Sequence, residues 1–360
     1  MTLTWLMMAA HVPADGHRGG MVRYVVEVAR QLADRPDVEL HVVADPAARS
    51  FWEPLVRSPK HIYPMLNVPT PAQAWLERRG RGSAAFGRRF DVVHGTKHLL
   101  PPIDAGMKLL TAHDFLPLDR PGDFGWLKRR LLPAPYLASI DEADAILCVS
   151  QATRDRLISY RAVAGERAHV VPLAGSSLSS VKPSVAGALN NRRFALVVGD
   201  DSARKNLRFV VDLWPQVARA EPDLLLAIVG APAWRQEESA ATEHPNVLRM
   251  GFLPDDQLAW CYANASVVLC PSVLEGFGLP AREALGFGAR VLTSEDPALC
   301  EASGRTARHV YADDPKAWTE AIVAAVNESG AVPVDAGARS RTWTDVVDET
   351  VEVALACLDR

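Results

Sequence analysis

The chain has 360 residues, of which 48% are apolar and 23% charged, with a formal net charge of −4. These are ordinary globular proportions, the length suits two domains that each bury a core, and no apolar run reaches the ~20 residues that cross a bilayer. The charge is uneven: residues 1–172 carry 22 Lys and Arg against 18 Asp and Glu, a net of +4, so the remainder carries −8.

Residues 3–10 are apolar with no basic residue before them, so they read as a first strand and not a signal peptide. A loop over 11–20 precedes a helix over 21–33, with Val22, Val25, Val26, Ala29 and Leu32 on one face. Residues 39–44 alternate into a second strand. Residues 49–90 are irregular to helical and rich in Arg, Pro and Gly, as substrate-facing segments tend to be. Short strands follow at 91–94, 108–112 and 145–149, the last leading into a helix capped by Ser150. The first half ends at 170–172. Residues 175–191, poor in large apolar side chains and rich in serine, form the expected linker. The alternation then restarts with strands at 194–198, 224–229, 247–250, 267–269, 291–292 and 309–311, and helices at 206–220, 255–262 and 315–327. A last helix spans 344–358. Strands alternating with helices predict two doubly wound, parallel α/β domains.

The five cysteines (Cys148, Cys261, Cys270, Cys300 and Cys357) include no C-x-x-C pair and no metal spacing. Inert thiols in a reduced, cytoplasmic setting are the expectation. Arg78, Arg79, Arg81, Arg88, Arg89 and Lys128-Arg129-Arg130 lie near Trp75, Phe86 and Trp126. Basic and aromatic residues together either form a solvated helix face or rest on an anionic membrane face. Nucleic-acid binding has no further support.

The chemistry concentrates after two strands of the second half. Pro271-Ser-Val-Leu-Glu-Gly-Phe-Gly-Leu-Pro-Ala-Arg-Glu283 runs from a strand through a glycine loop into a helix whose first residue is Pro280. Free amides and the positive helix end in such a unit face a phosphate ester. Glu275 and Glu283 bracket the loop with seven residues between them. Gly199-Asp-Asp-Ser-Ala-Arg-Lys-Asn206 follows an earlier strand at its carboxyl end, where open α/β sheets bind ligands. Arg204 and Lys205 are adjacent cations at a helix entry that Asn206 can cap, placed to neutralise a departing diphosphate. In the first half, Gly19 and Gly20 allow close backbone approach, and His113 stands just past a strand. His94, Lys97 and His98 follow the preceding strand and either line an acceptor or are structural.

The run Glu275-Gly-Phe-Gly-Leu-Pro-Ala-Arg-Glu-Ala, continuing to Gly286 and Gly288, resembles the E-x7-E signature of retaining glycosyltransferases of the GT-B fold, most closely family 4. Arg204-Lys-Asn206 resembles the family's R-K-N element, and His113-Asp114 its H-D. The resemblance implies two Rossmann-like domains facing each other across a cleft. An acceptor domain would cover 1–174 and a linker 175–191. A nucleotide-sugar donor domain would cover 192–342, and the helix 343–360 would pack back on the first domain. It implies catalytic roles for Glu275, Arg204, Lys205 and His113, and donor binding by Gly19, Gly20, Gly199, Phe277, Gly278, Leu279 and Glu283. A hexose of the mannose or glucose type would move from a nucleotide diphosphate sugar to a hydroxyl of a glycan, lipid-linked or small-molecule acceptor, with retention. No D-x-D occurs, so neither metal nor cofactor is expected. A nucleotide-sugar epimerase and a non-catalytic nucleotide-sugar binder remain open on the same fold. Ala289-Arg290 where the family has Pro-Val, and Leu173-Ala-Gly-Ser176 where it has G-V-D, depart from the pattern outside the diphosphate contacts.

Overall fold

The computed structural model describes residues 2–16, 19–65, 88–101, 103–175, 178, 181–230, 244–329 and 341–359. The chain forms two compact units, one of Met1–Leu173 with Trp343–Arg360 and one of Ala174–Thr342.

The first unit is built on seven parallel strands: β1 (Leu3–Met8), β2 (Val38–Ala44), β3 (Ile62–Pro64), β4 (Phe90–Gly95), β5 (Ala105–Ala112), β6 (Ala145–Cys148) and β7 (Ala168–Val170). Their order is β3-β2-β1-β4-β5-β6-β7, so the winding reverses between β1 and β4. Parallel strands are covered on both faces, which is why these segments are near-continuous apolar runs. The three-residue edge strand β3 gives no such run and no sequence signal. The helix Gly19–Asp34 returns the chain from β1 to β2 with Val25, Val28, Ala29 and Leu32 buried. Ser150 caps the helix Gln151–Tyr160 by accepting a bond from the Thr153 amide at 3.0 Å. The last helix, Trp343–Leu358, lies on this unit, where Trp343 meets the Tyr24 ring edge-on and Thr344 donates to Gln31.

The second unit carries β8 (Arg193–Gly199), β9 (Leu224–Gly230), β10 (Val247–Gly251), β11 (Val267–Cys270), β12 (Val291–Ser294) and β13 (Arg308–Val310) in the order β10-β9-β8-β11-β12-β13. The reversal falls between β8 and β11, which pair with Leu269 opposite Val197. Core side chains fill both faces. Trp214, from the helix Leu207–Ala220, and Trp318, from the helix Pro315–Asn327, pack on one of them. Leu258, Tyr262 and Leu285 pack on the other. A helix at Pro297–Ser303, which has no long apolar stripe, is capped by Asp296.

The stretch expected to link the units is not a free connection. Leu178, Ala186 and Leu189 are fully buried in the same core as Phe194 and Tyr262, and the Ser184 amide donates to the Asp256 carbonyl at 3.1 Å. A few apolar residues suffice, because Leu178, Ala186 and Leu189 drop into the second unit's core while Lys182 and Asn190 stay exposed. Leu189→Ala is therefore expected to cost about 2–5 kcal/mol in urea unfolding, against under about 0.5 kcal/mol for an exposed linker position.

Candidate active site

Both strands at the reversal of the second sheet end in the residues singled out by sequence. Beyond β8 the chain turns through Ala203–Lys205 and reaches Asn206 at φ 55°, in the left-handed region. Beyond β11 it runs through Pro271 and Ser272 to Glu275. The loops are joined by a bond from the Val273 amide to the Arg204 carbonyl at 2.8 Å. Asn206 strengthens the join: its Nδ2 donates to the Pro271 carbonyl at 3.3 Å and to the Ala312 carbonyl at 3.1 Å. It does not cap the following helix as expected, because the left-handed turn directs the side chain to those loops.

Three charged groups meet on this join. Lys205 Nζ lies 2.6 Å from Glu275 Oε1, and an Arg204 guanidinium nitrogen lies 2.9 Å from Glu275 Oε2. The Ser272 hydroxyl donates to Oε1 at 2.7 Å. All three side chains are largely shielded, Glu275 at 9% exposure, Lys205 at 12% and Arg204 at 17%. Burial by itself pushes the Glu275 carboxyl upward. The charges of Lys205 and Arg204 and the bonds from Lys205 and Ser272 outweigh it and bring the pKa down from 4.5 to about 2. The group is a carboxylate at neutral pH, held against two cations. Gly199 ends β8 beneath the Lys205 stem, and a Cβ there would stand 3.4 Å from Lys205 Cδ.

Gly278 opens the helix Leu279–Gly286 at φ +97°, and a Cβ on it would lie 2.6 Å from Leu299 Cδ2. Only glycine fits without strain. Phe277 and Leu279 are buried on either side; in the helix's first turn Pro280 carries no N–H, and the Ala281 amide donates to the Gly278 carbonyl at 3.1 Å. Glu283 is buried one helical turn further on, where the Tyr262 hydroxyl donates to its Oε2 at 2.8 Å and the Tyr262 ring stacks on Phe287.

In the first unit the N-terminal candidates follow the carboxyl ends of β1, β4 and β5. Gly19, at φ +74°, and Gly20 start the helix after β1, and a Cβ on Gly19 would meet nothing within 4 Å. His17 and Arg18 lie outside the described residues. After β5, His113 Nε2 lies 3.0 Å from the Thr96 carbonyl, so it is the protonated nitrogen and Nδ1 is left as the acceptor. Burial, followed by His98, lowers its pKa to about 4, so the ring is neutral near pH 7. The Tyr24 ring stands edge-on at 4.8 Å.

His94 is not available to a ligand. It is fully buried with Nε2 2.8 Å from Thr111 Oγ1, which in turn meets the Tyr24 hydroxyl at 2.9 Å. Lys97 and His98 are half-exposed, with His98 at φ 64°.

The arrangement can hold an anion with two cations and a helix start, beside an ionised carboxylate and in an α/β unit of the dinucleotide-binding kind. The model described as Glycosyl transferases group 1 matches residues 192–328, and the model described as Glycosyltransferase Family 4 matches residues 18–174. The chain belongs to the family 4 glycosyltransferases.

Among curated relatives of this glycosyltransferase, alpha-maltose-1-phosphate synthase of Mycolicibacterium smegmatis is 27% identical over 96% of this chain and 97% of its own length. The MMP alpha-(1->4)-mannosyltransferase of Mycolicibacterium hassiacum is 31% identical over 61% of this chain and 57% of its own length. Among solved structures, Alr3699/HepE of Anabaena, in complex with UDP and glucose, aligns with a TM-score of 0.69 at 14% identity, covering 98% of this chain and 100% of that one. WaaG, a glycosyltransferase involved in lipopolysaccharide biosynthesis, aligns at 0.66 and 16% identity, covering 99% and 98%. The fold is the two-domain α/β fold of the GT-B glycosyltransferases.

Three supporting residues were not picked from sequence. Ser272 is three residues before Glu275, a spacing that could have flagged it. Tyr262 and Asp201, whose carboxylate pairs with Arg249 at 3.3 Å, are brought in only by packing.

Replacing the carboxylate by an amide tests the cluster. Glu275→Gln would leave two shielded cations without their anion and is expected to cost about 3–5 kcal/mol at pH 7. The folded pKa lies below the unfolded one, so ionised Glu275 stabilises the fold above about pH 4.5, and this contribution is lost as pH falls toward 2. In urea titrations the gap between wild type and Glu275→Gln should hold from pH 7 to 5 and narrow by pH 3. A constant gap would remove the charge pairing as its cause.

Proposed function

We propose that this glycosyltransferase moves a hexose of the mannose or glucose type from a nucleotide diphosphate sugar to an acceptor hydroxyl, with retention, without a metal, and in the cytoplasm. The observation that carries the reading is the pair Arg204 and Lys205 clamped on Glu275 at the reversal of the second sheet. Positive charge fixed there before reaction stabilises the diphosphate as it departs. Amides at Gly278 and Leu279 would add to the phosphate site. Glu275 would meet the sugar hydroxyls and the developing positive charge on the ring, and Glu283, oriented by Tyr262, the ribose. The bond from C1 to the phosphate oxygen breaks as the acceptor oxygen bonds to C1 on the same face. The acceptor proton passes to an oxygen of the leaving phosphate. Among the described residues beside Glu275, Lys205 and Arg204 are committed to its carboxylate and Asp296 caps the helix Pro297–Ser303. His113, neutral and with Nδ1 as acceptor, would take a bond from a sugar hydroxyl, and Lys97 and His98 would face the acceptor. Relatives named as a maltose-1-phosphate synthase and a mannosyltransferase support a hexose.

With a panel of nucleotide diphosphate sugars, the first-formed product should keep the donor's anomeric configuration in proton NMR, and excess chelator should leave the rate unchanged. Lys205→Ala should lower kcat by about 10²–10³ with the fold intact. An inverted anomer, activity restored only by magnesium or manganese, or wild-type turnover in Lys205→Ala would each overturn the corresponding part.

A peripheral contact with an anionic membrane face rests on the helix Trp126–Leu131. There Trp126 is 71% exposed, with Leu127 and Leu131 exposed as well, beside Lys128, Arg129 and Arg130. Arg78, Arg79, Arg81, Trp75 and Phe86 lie outside the described residues. No described helix is long and apolar enough to cross a membrane. The protein should sediment with phosphatidylglycerol vesicles but not with neutral ones, and Trp126→Ser should weaken this. Equal recovery on both vesicle types would end the idea.

A further inference from the structure

On the first sheet, apart from every residue assigned above, three metal-ligating side chains converge. Glu39 and His41 are two residues apart in β2, so they leave the same face of the strand. His61 stands immediately before β3, which pairs with β2 so that Ile62 lies opposite Val42. The pairing sets the two imidazoles face to face, with ring centroids 4.0 Å apart and planes 30° from parallel. His41 Nε2 is 2.7 Å and His61 Nε2 3.7 Å from the same Glu39 oxygen. One ligand atom from each residue lies within 4.8 Å of the others. Tetrahedral ligands at zinc distances stand roughly 3.3 Å apart, so shifts of about an ångström would complete the set.

We propose that Glu39, His41 and His61 bind a divalent transition ion of the zinc class, with water as fourth ligand. Two imidazole nitrogens and one carboxylate suit zinc, where magnesium and calcium call for oxygen alone. To ligate through Nε2, each imidazole carries its proton on Nδ1. For His41 that nitrogen lies 3.4 Å from the Tyr63 hydroxyl, which can accept the bond and hold the ring's orientation. Phe90 closes the other side of His41 edge-on at 5.2 Å. His61 Nδ1 has no hydrogen-bond partner among the described residues, so no second bond opposes a turn of that ring onto the ion. The opposing element is Arg88, 3.3 Å from the same Glu39 oxygen. Its side chain is 40% exposed, so it can yield to an ion by swinging into water.

The three ligands tie the edge strand β3 to β2. Gly19 and His113 instead follow the carboxyl ends of β1 and β5. The ion therefore sits apart from the residues assigned to transfer, and the inference is independent of the proposed transfer reaction.

The full chain is titrated with cobalt(II), whose visible absorption reports tetrahedral nitrogen and oxygen ligation, and then with zinc as competitor. Wild type should bind one equivalent with such a band and melt at a higher temperature once loaded. His61→Ala should lose the band while keeping its far-UV circular dichroism. Glu39→Gln should weaken binding at least about tenfold. Arg88→Gln, which removes a competing positive charge, should tighten it about threefold to tenfold. An unchanged band and stoichiometry in His61→Ala, or no one-equivalent binding by wild type, overturns the site. Glycosyl transfer by the same samples, assayed well below their melting temperatures, should be the same with and without the ion, so either proposal can fail alone.

Discussion

The second unit depends on a carboxylate that would be costly anywhere else in it. Glu275 is almost wholly removed from water, and an unpaired charge there would be strongly destabilising. Two cations and a hydroxyl converge on its two oxygens, and those cations come from the loop after the neighbouring strand. One electrostatic requirement thereby holds two loops in register at the sheet's reversal. The left-handed Asn206 and the Val273–Arg204 backbone bond belong to the same requirement, because they bring the cations within reach of the anion. What makes the site expensive to build also makes it suited to charge: positive groups already fixed in a shielded place need little reorganisation when an anion develops beside them.

The first unit meets its polar burial by a different route. His94, Thr111 and Tyr24 form a buried chain of hydrogen bonds, and His113 spends one nitrogen on a backbone carbonyl. Burial keeps these imidazoles neutral, so the unit presents hydrogen-bonding groups where the second presents charges. Both sheets nevertheless share the inner strand order and place their polar residues at the carboxyl ends beside the reversal. There two successive helices leave on opposite faces, and the backbone opens a crevice between them.

Solved GT-B structures share this fold at 13–19% identity with near-complete coverage. Buried apolar runs of the right length and order specify such a sheet, and many side-chain choices fill it to the same density. At Gly278 only one residue type fits, because its positive φ and the Leu299 side chain leave no room for a Cβ.

The sequence by itself determined the two α/β units, nearly every strand and the ion cluster's members, since each rests on local signals: apolar runs for buried strands, glycines and Pro280 for the loop and helix start, adjacent cations at a helix entry. It could not show β3, whose three residues gain their pairing only from β2, nor the burial of Leu189 in a serine-rich stretch. It misplaced Asn206, because capping is a local rule and the left-handed turn answers to the loop after β11. Nor could it show that the Tyr262 hydroxyl donates to Glu283, a contact made between packed helices. That Glu275 sits between Arg204 and Lys205, and that His61 comes beside Glu39 and His41, was decided only by the tertiary structure. Contacts across 70 residues or between paired strands depend on sheet order and register, and no local pattern encodes either.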